Sequence, residues 1–380
     1  MVTKRARTWL ARATLITVIG VVGALAVATW SLSGTIAAEL LVHPLPSPTV
    51  TVLAIDGTTI TVTADERSIL PGRWALVTAT GRAVLGNVEA VDDGRVQRRL
   101  FTVDGVITPG MTASFETTVY TPDPEARGVA FAEVILERPY GDAPAWVTTG
   151  SDDTWVIFAH DFGADRTESL RVIALFERLG LPVVIPTLRS DDGAIDEGRT
   201  DLGPAESHDV IAAIEFALGA GAQDVVLFGS GTGASSVLLA AADIRYGPKI
   251  AALVLDAPLL DPAALADLRL GEDKVPGFLI GWAKASAAFR FGIDWTGLDH
   301  VAAAADQSHP TLIFHGEADE RYPAAASERY VVDALDATLV LVPEAGHGEA
   351  WNLDPVAYEG VLEDFLRDTA VGPAGTIPED

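Results

Sequence analysis

Residues 225–236 read Val-Val-Leu-Phe-Gly-Ser-Gly-Thr-Gly-Ala-Ser-Ser. The apolar run at 225–228 has the length and composition of a buried strand. It runs into Gly229, Gly231 and Gly233, and the alanine- and leucine-rich stretch 234–242 beyond them reads as a packed helix. Strand, tight glycine turn and helix are the setting in which the frame Gly-x-Ser-x-Gly raises a nucleophilic serine above the end of a sheet. Here the serine slot, between Gly229 and Gly233, holds Gly231. The frame is that of a nucleophile elbow, and its nucleophile is missing.

A shift of register does not restore it. Putting Ser230 in the slot would require glycines at 228 and 232, where Phe228 and Thr232 stand. The slot favours a residue that accepts positive φ, and glycine relieves strain on the order of 1–3 kcal/mol there. Gly231 is therefore comfortable and chemically inert. A glycine-rich phosphate or dinucleotide turn is the competing reading, because Asp256 ends the next strand where a ribose-binding acid would sit. Gly-x-Gly-x-Gly lacks the Gly-x-Gly-x-x-Gly spacing that such a turn needs.

Working outward, short apolar runs at 155–159, 183–185, 251–255, 311–314 and 338–342 join 225–228 as predicted strands. Helical patterns separate them, for example at 167–179 and 207–218. This alternation predicts an α/β fold with a doubly wound, mostly parallel sheet over residues 118–370. Loops after two of the strands carry Asp319, in Phe314-His-Gly-Glu-Ala-Asp319, and His347, in Pro343-Glu-Ala-Gly-His347-Gly. In the chain order elbow, acid, histidine, the carboxylate would orient the imidazole and the imidazole would take the nucleophile's proton. A lone aspartate or histidine in a loop is usually a turn residue, and it is the combination with the elbow that points to a triad-derived geometry. The segment Val156-Ile-Phe-Ala-His160-Asp161-Phe162-Gly163 matches the oxyanion loop after the third core strand. A carboxylate at Asp161 would oppose the negative charge that such sites stabilise. The plainer expectation is that Asp161 faces solvent or caps the helix starting near Thr167.

Taken together, residues 40–370 resemble the membrane-anchored α/β-hydrolase family of actinobacteria, close to serine aminopeptidase-like and dienelactone-hydrolase-like sequences. The resemblance rests on His160 with Arg166-Thr-Glu-Ser-Leu170, on Gly221-Ala-Gln-Asp-Val-Val-Leu-Phe-Gly229 and on Val254-Leu-Asp-Ala-Pro258. It rests further on Phe314-His-Gly316 with Asp319, and on Gly346-His347 with Trp351-Asn-Leu-Asp-Pro355. In such relatives the elbow usually reads Gly-Trp-Ser-Met-Gly. The resemblance implies that Asp319 and His347 carry over as triad acid and base, while the nucleophile position, Gly231, does not. It implies Thr232 and Phe162 as backbone donors of the oxyanion hole. It also implies a cap over the pocket at 259–308, where Phe278, Trp282, Phe289, Phe291 and Trp295 would form the cap's own core or meet an apolar ligand.

The N-terminus reads as an address. Lys4, Arg5, Arg7 and Arg12 lie in a basic segment, 1–12, and precede an uncharged stretch beginning at Ala13. Eighteen residues, 13–30, span about 27 Å as a helix, close to a bilayer's hydrocarbon thickness. A transmembrane anchor at 13–33, with its N-terminus cytoplasmic and the rest of the chain outside, is expected. A cleaved signal peptide, with Thr35-Ile-Ala37 at the cleavage site, is the alternative. A proline-rich spacer, 34–48, leads to a small β-rich domain, 49–117. Its five expected strands lie at 49–55, 59–63, 74–80, 83–91 and 95–103 and are punctuated by turn pairs such as Asp56-Gly57. The tail, 371–380, reads as disordered.

Composition limits the function. A net charge of −27 argues against nucleic acid as a partner. The chain has no cysteine, which excludes disulfides, thiolate metal sites and a cysteine nucleophile. Its seven histidines are dispersed, and the one Glu-x-x-His pair, Glu344 with His347, lies in a glycine-containing loop without a third ligand. Neither metal nor cofactor is expected. The functional expectation is a membrane-tethered, catalytically degenerate hydrolase with a pocket for an apolar ester, amide or peptide-like ligand. The alternatives are an active hydrolase using Ser230 or a water activated by His347, and a non-catalytic interaction module.

Overall fold

The structure is a computed structural model and describes residues 4–42, 47–191 and 199–371. Residues 1–3 of the basic segment, 43–46 of the proline-rich spacer and 372–380 of the expected tail lie outside the described residues. The helices among the described residues are α1 (Lys4–Leu40), α2 (Ile173–Leu179), α3 (Pro204–Ala220), α4 (Thr232–Ala241), α5 (Pro262–Glu272), α6 (Gly277–Phe291), α7 (Ala325–Asp333), α8 (Ala350–Leu353) and α9 (Pro355–Thr369). The chain divides into two units, residues 1–42 with 262–297, and 43–261 with 298–380.

In the first unit α1 is one continuous helix of 37 residues. Its segment Arg12–Leu40 holds an 18-residue window with a mean hydropathy of 2.2 and is long and apolar enough to cross a membrane. A membrane anchor and a signal sequence both have this form. The segment expected as a cap carries α5 and α6, and α6 packs along α1.

The second unit begins with a closed antiparallel barrel. Its strands are β1 (Val50–Asp56), β2 (Thr59–Thr63), β3 (Trp74–Val77), β4 (Gly81–Asp92), β5 (Arg95–Gly105) and β6 (Thr112–Glu116), in the order β1-β2-β5-β4-β3-β6. The sequence pattern gave five strands; β6, short and half polar, is the sixth, and it closes the barrel by pairing with both β1 and β3. Val52, Ile60, Val62, Trp74, Leu76 and Leu85 fill the interior, and each is fully buried. Among them is the guanidinium of Arg98, also fully buried. It donates to the carbonyls of Ser68, Leu70, Gly72 and Gly86 and so ties the 68–72 loop to the wall.

Among the described residues the larger sheet has eight strands, β7 (Phe131–Leu136), β8 (Ala143–Thr148), β9 (Thr154–Ala159), β10 (Val183–Pro186), β11 (Asp224–Ser230), β12 (Ile250–Asp256), β13 (Thr311–Gly316) and β14 (Ala337–Val342). Their order is β14-β13-β12-β11-β9-β10-β8-β7. All neighbours are parallel except β8, which runs antiparallel to both β10 and β7. Successive side chains of a strand face opposite ways, so each central strand feeds two cores. Val156, Phe158, Val226, Phe228 and Phe314 pack under α2 and α9. Ile157, Leu227, Leu253 and Ile313 pack under α3 and α4. The run expected as one helix at 167–179 divides into a 3-10 turn, Arg166–Arg171, and α2. Its cap is Asp165, whose side chain accepts from the Thr167 N–H; the expectation that Asp161 serves there is not met.

The barrel grips the loop that follows β14. Gly72 has φ +85, and a Cβ on it would lie 1.9 Å from the carbonyl oxygen of Asn352. That approach lets the Arg73 N–H donate to the same carbonyl at 2.7 Å, while the Asn352 amide donates back to the carbonyls of Arg73 and Thr117. Arg67 meets Glu349 at 2.6 Å, and Glu349 also accepts from the Gly346 N–H.

Candidate active site

Strand β11 ends at Ser230, and α4 starts at Thr232, so Gly231 alone makes the turn, with φ +53 and ψ −115. The flanking glycines are demanded by close approach, since a Cβ at Gly233 would lie 2.4 Å from the Ala159 carbonyl oxygen. The elbow is therefore built in full. The space above it is taken: a Cβ on Gly231 would lie 2.0 Å from both Cγ and Oδ1 of Asp161.

Asp161 thus faces neither solvent nor the helical turn near Thr167, but the N-terminus of α4. Its Oδ1 accepts the Thr232 N–H at 2.7 Å and the Thr232 hydroxyl at 3.2 Å. Its Oδ2 lies 3.0 Å from Nε2 of His347, and Arg321 approaches within 3.7 Å. On its other nitrogen, Nδ1, His347 meets Oδ2 of Asp319 at 2.8 Å. The second oxygen of Asp319 accepts the N–H groups of Arg321 and Tyr322. Tyr322 also sets its ring edge-on to the imidazole, with centroids 4.7 Å apart. The result is a chain of three side chains, Asp161–His347–Asp319.

A ring with a carboxylate on each nitrogen is satisfied at both only as imidazolium. Burial by itself would lower the pKa of His347, but the hydrogen bonds and charges of Asp161 and Asp319 outweigh it and hold the pKa up at about 9. Burial would raise the Asp161 carboxyl. The charge of Arg321, with the hydrogen bond from His347, instead keeps it far below the ordinary carboxylate range. Asp319, also pushed up by burial, is brought down to about 2 by hydrogen bonds from His315 and His347. At neutral pH the chain is thus minus, plus, minus.

Ser230 points elsewhere. Its hydroxyl donates to Oε1 of Glu168 at 2.7 Å, and among the described residues it makes no hydrogen bond to His347. Glu168 also pairs with Arg171 at 3.0 Å and accepts the Asp161 N–H at 2.9 Å. Arg171 reaches Asp256 at 2.9 Å, and Tyr358 donates to the same carboxylate oxygen. Asp256 is therefore fully buried and held in an ion pair through Oδ2, not exposed as a ribose-binding acid would be. The Phe162 N–H donates to the Thr232 hydroxyl, and the Thr232 N–H to Asp161, so both expected oxyanion donors are engaged within the chain. His160, next to Asp161, pairs with Asp191 at 3.1 Å and with the Asp161 carbonyl. Burial opposes the charge on His160, but Asp191 raises its pKa to about 9.

Sequence reasoning did not find the Asp161–His347 pair or the Glu168–Arg171–Asp256 network. The only signal for the first was a carboxylate, Asp161, in the segment expected to be an oxyanion loop.

Similarity to known proteins follows the two parts of the second unit. A family model described as a domain of unknown function (DUF8805) matches residues 51–116, within the barrel. No curated protein matches the chain. Among solved structures, the esterase Pf2001 of Pyrococcus furiosus is similar in several crystal forms. In one form the TM-score is 0.52 at 16% identity, over 67% of this chain and 98% of that one. In a second the TM-score is 0.51 at 16% identity, over 66% and 95%. With the strand order above, this likeness identifies the fold of the larger sheet and its helices as that of the α/β-hydrolases.

Proposed function

We propose that this chain is a membrane-anchored member of the serine hydrolases by descent whose hydrolytic centre has been closed by its own Asp161. In this reading α1 is retained, its N-terminus is cytoplasmic, and the barrel and hydrolase-like domain lie outside the membrane. Asp319 and His347 descend from the triad acid and base, Gly231 from the nucleophile, and Thr232 and Phe162 from the oxyanion donors. Ancestry near the aminopeptidase-like and dienelactone-hydrolase-like enzymes fits the sequence segments that the triad loops carry.

The observation that carries the reading is the position of the Asp161 carboxylate. It fills the volume a serine side chain would take and binds the amide an oxyanion would take, and it accepts a proton-bearing nitrogen from the base. Loss of a triad nucleophile costs roughly a 10⁶-fold drop in rate, and the three contacts of Asp161 oppose any substitute for it. Ser230 as nucleophile is disfavoured by its bond to Glu168, and a water activated by His347 by the ring's carboxylate partners. A pocket that still takes an apolar ester, amide or peptide-like ligand without turning it over is part of the proposal.

The test is activity-based labelling. Folded protein is treated with a fluorophosphonate and assayed on p-nitrophenyl esters of several chain lengths beside His347→Ala. No labelling and equal, background turnover are expected. Stoichiometric labelling of Ser230, or turnover that His347→Ala abolishes, would overturn the reading.

A further inference from the structure

Helix α6 carries a row of aromatic side chains that the protein leaves uncovered. Phe278, Trp282 and Phe289 are 58%, 51% and 88% exposed. The first two share one stripe of the helix and contact each other edge-on. Its opposite side, Ile280, Ala283 and Ala287, is buried. Across its 15 residues α6 has two basic side chains, Lys284 and Arg290, and no acidic one, in a chain of 53 acidic residues.

The neighbour of this helix says what covers the aromatics. A cleft of about 390 Å³ separates α6 from α1, lined by Val22, Leu25, Ala26 and Trp30 on one side and by Trp282 and Ser286 on the other. Ser286 bonds Ser33 at 3.1 Å. Arg290 donates to the Trp30 carbonyl at 2.7 Å and lays its guanidinium 3.8 Å from the Trp30 ring centroid. Counting from Arg12, a bilayer core of about 30 Å takes about 20 helical residues, which ends near residue 32. Residues 22–30 then lie between the midplane and the far interface, with Trp30 and Arg290 at the depth where an aromatic ring and a guanidinium are favoured. The lining changes where α1 leaves this range. A second cleft, beside residues 35–40, mixes the apolar Ile36, Leu40 and Leu270 with the charged Glu39, Arg269, Glu272 and Asp273. A cleft with no charged lining at 22–30, followed by one with four charged side chains at 35–40, is what a helix pair crossing a membrane surface presents.

We infer that α6 is a second membrane-embedded element, lying in the same leaflet as the outer half of α1, with lipid acyl chains covering Phe278, Trp282 and Phe289 and filling the α1–α6 cleft. The inference rests on the retained anchor of the proposed function. The protein has no cysteine, so single cysteines at exposed sites give clean probe positions. Val22→Cys, Trp282→Cys, Phe278→Cys and Phe289→Cys would each be labelled with the environment-sensitive fluorophore NBD. The full chain would then be placed in nanodiscs with and without lipid bearing a doxyl quencher on acyl carbon 5 or 12.

Quenching at Val22 and at no fewer than two of the three α6 positions, with NBD emission shifted to the blue, is the expected result. Quenching at Val22 with water-like emission at all three α6 positions overturns the inference and leaves the anchor standing. An unquenched Val22 probe, or a purified protein whose N-terminus by mass spectrometry begins beyond residue 36, removes the anchor and the inference together. Using three α6 sites protects the result against one that fails to fold.

Discussion

The geometry at Gly231 makes a quantitative forecast about restoring chemistry. Gly231→Ser alone must fail. The new Cβ would meet Asp161 at 2.0 Å, so the carboxylate has to leave. Leaving breaks its bonds from the Thr232 N–H and from His347, each worth about 1.5–3 kcal/mol as a charge-assisted hydrogen bond. A non-glycine residue at φ +53 adds about 1–3 kcal/mol of strain. The sum, about 4–9 kcal/mol, rivals a typical domain's total stability of about 5–15 kcal/mol. Asp161→Gly together with Gly231→Ser removes the obstruction and leaves mainly the strain. It also frees the Thr232 amide for an oxyanion and takes one carboxylate from His347, whose pKa then falls toward the ordinary imidazole value. Of the roughly 10⁶-fold that a triad nucleophile is worth, at least about 10²-fold should return in the double variant. The assay is hydrolysis of p-nitrophenyl butyrate at pH 8, with His347→Ala added to the double variant as the control that abolishes the gain. A double variant that is folded by circular dichroism yet neither hydrolyses the ester nor reacts with a fluorophosphonate would refute the reasoning.

Other outcomes follow from the same contacts. His347 has its folded pKa raised to about 9, so its stabilising contribution is complete below the unfolded value of about 6.5 and is lost as pH rises through about 9. His160 behaves alike, so the fall in melting temperature between pH 7 and 10 should be smaller in His347→Gln, by roughly half. Asp319 has the opposite sign: held at about 2, it stabilises above about pH 4, and the benefit disappears as pH falls through 2; Asp319→Asn should flatten the acid limb of a urea-midpoint profile. Arg98→Met leaves four barrel carbonyls without their donor and should cost about 3 kcal/mol or more, read as a loss of β signal and of melting temperature. Gly72→Ala places a methyl on the Asn352 carbonyl; hydrogen exchange should quicken at 346–353 as well as in the barrel, and exchange confined to the barrel would count against the coupling.

How much was legible depends on how far apart the interacting residues lie in the chain. The runs that became β9 to β13 were visible because parallel strands covered on both faces are continuously apolar, and the partly buried edge strand β14 is apolar over 339–342 as well. Strand β7, Phe-Ala-Glu-Val-Ile-Leu at the sheet's edge, and β8, with Pro144 inside it, gave no such run. The elbow was legible because it is local: five consecutive residues carry it. The occupant of the elbow was not, because Asp161 meets Thr232 across 71 positions and His347 across 186. Sequence showed that position 161 was unusual for an oxyanion loop, yet not where the side chain would point. Ser230 is similar, since its position at the end of β11 was clear but its bond to Glu168 depends on how the 3-10 turn at 166–171 folds back. The companionship of α1 and α6 joins residues some 250 positions apart and left no trace in either helix's own pattern.

One consequence of the Asp161–Thr232 bond concerns competition. The amide that a hydrolase offers to a passing substrate is here in contact with an anion on the same chain, held by a buried loop rather than by diffusion. Even a flexible tether confers an effective concentration in the millimolar range, and a rigid one much more. A free carboxylate, phosphonate or boronate in solution therefore meets a rival that never departs. The bonds of the Asp161 carboxylate hold residues 161, 232 and 347 together, as a staple between two loops and the start of α4 at the carboxyl edge of the sheet. Any change that empties that amide will register first as looser loops, and only afterwards as room for chemistry.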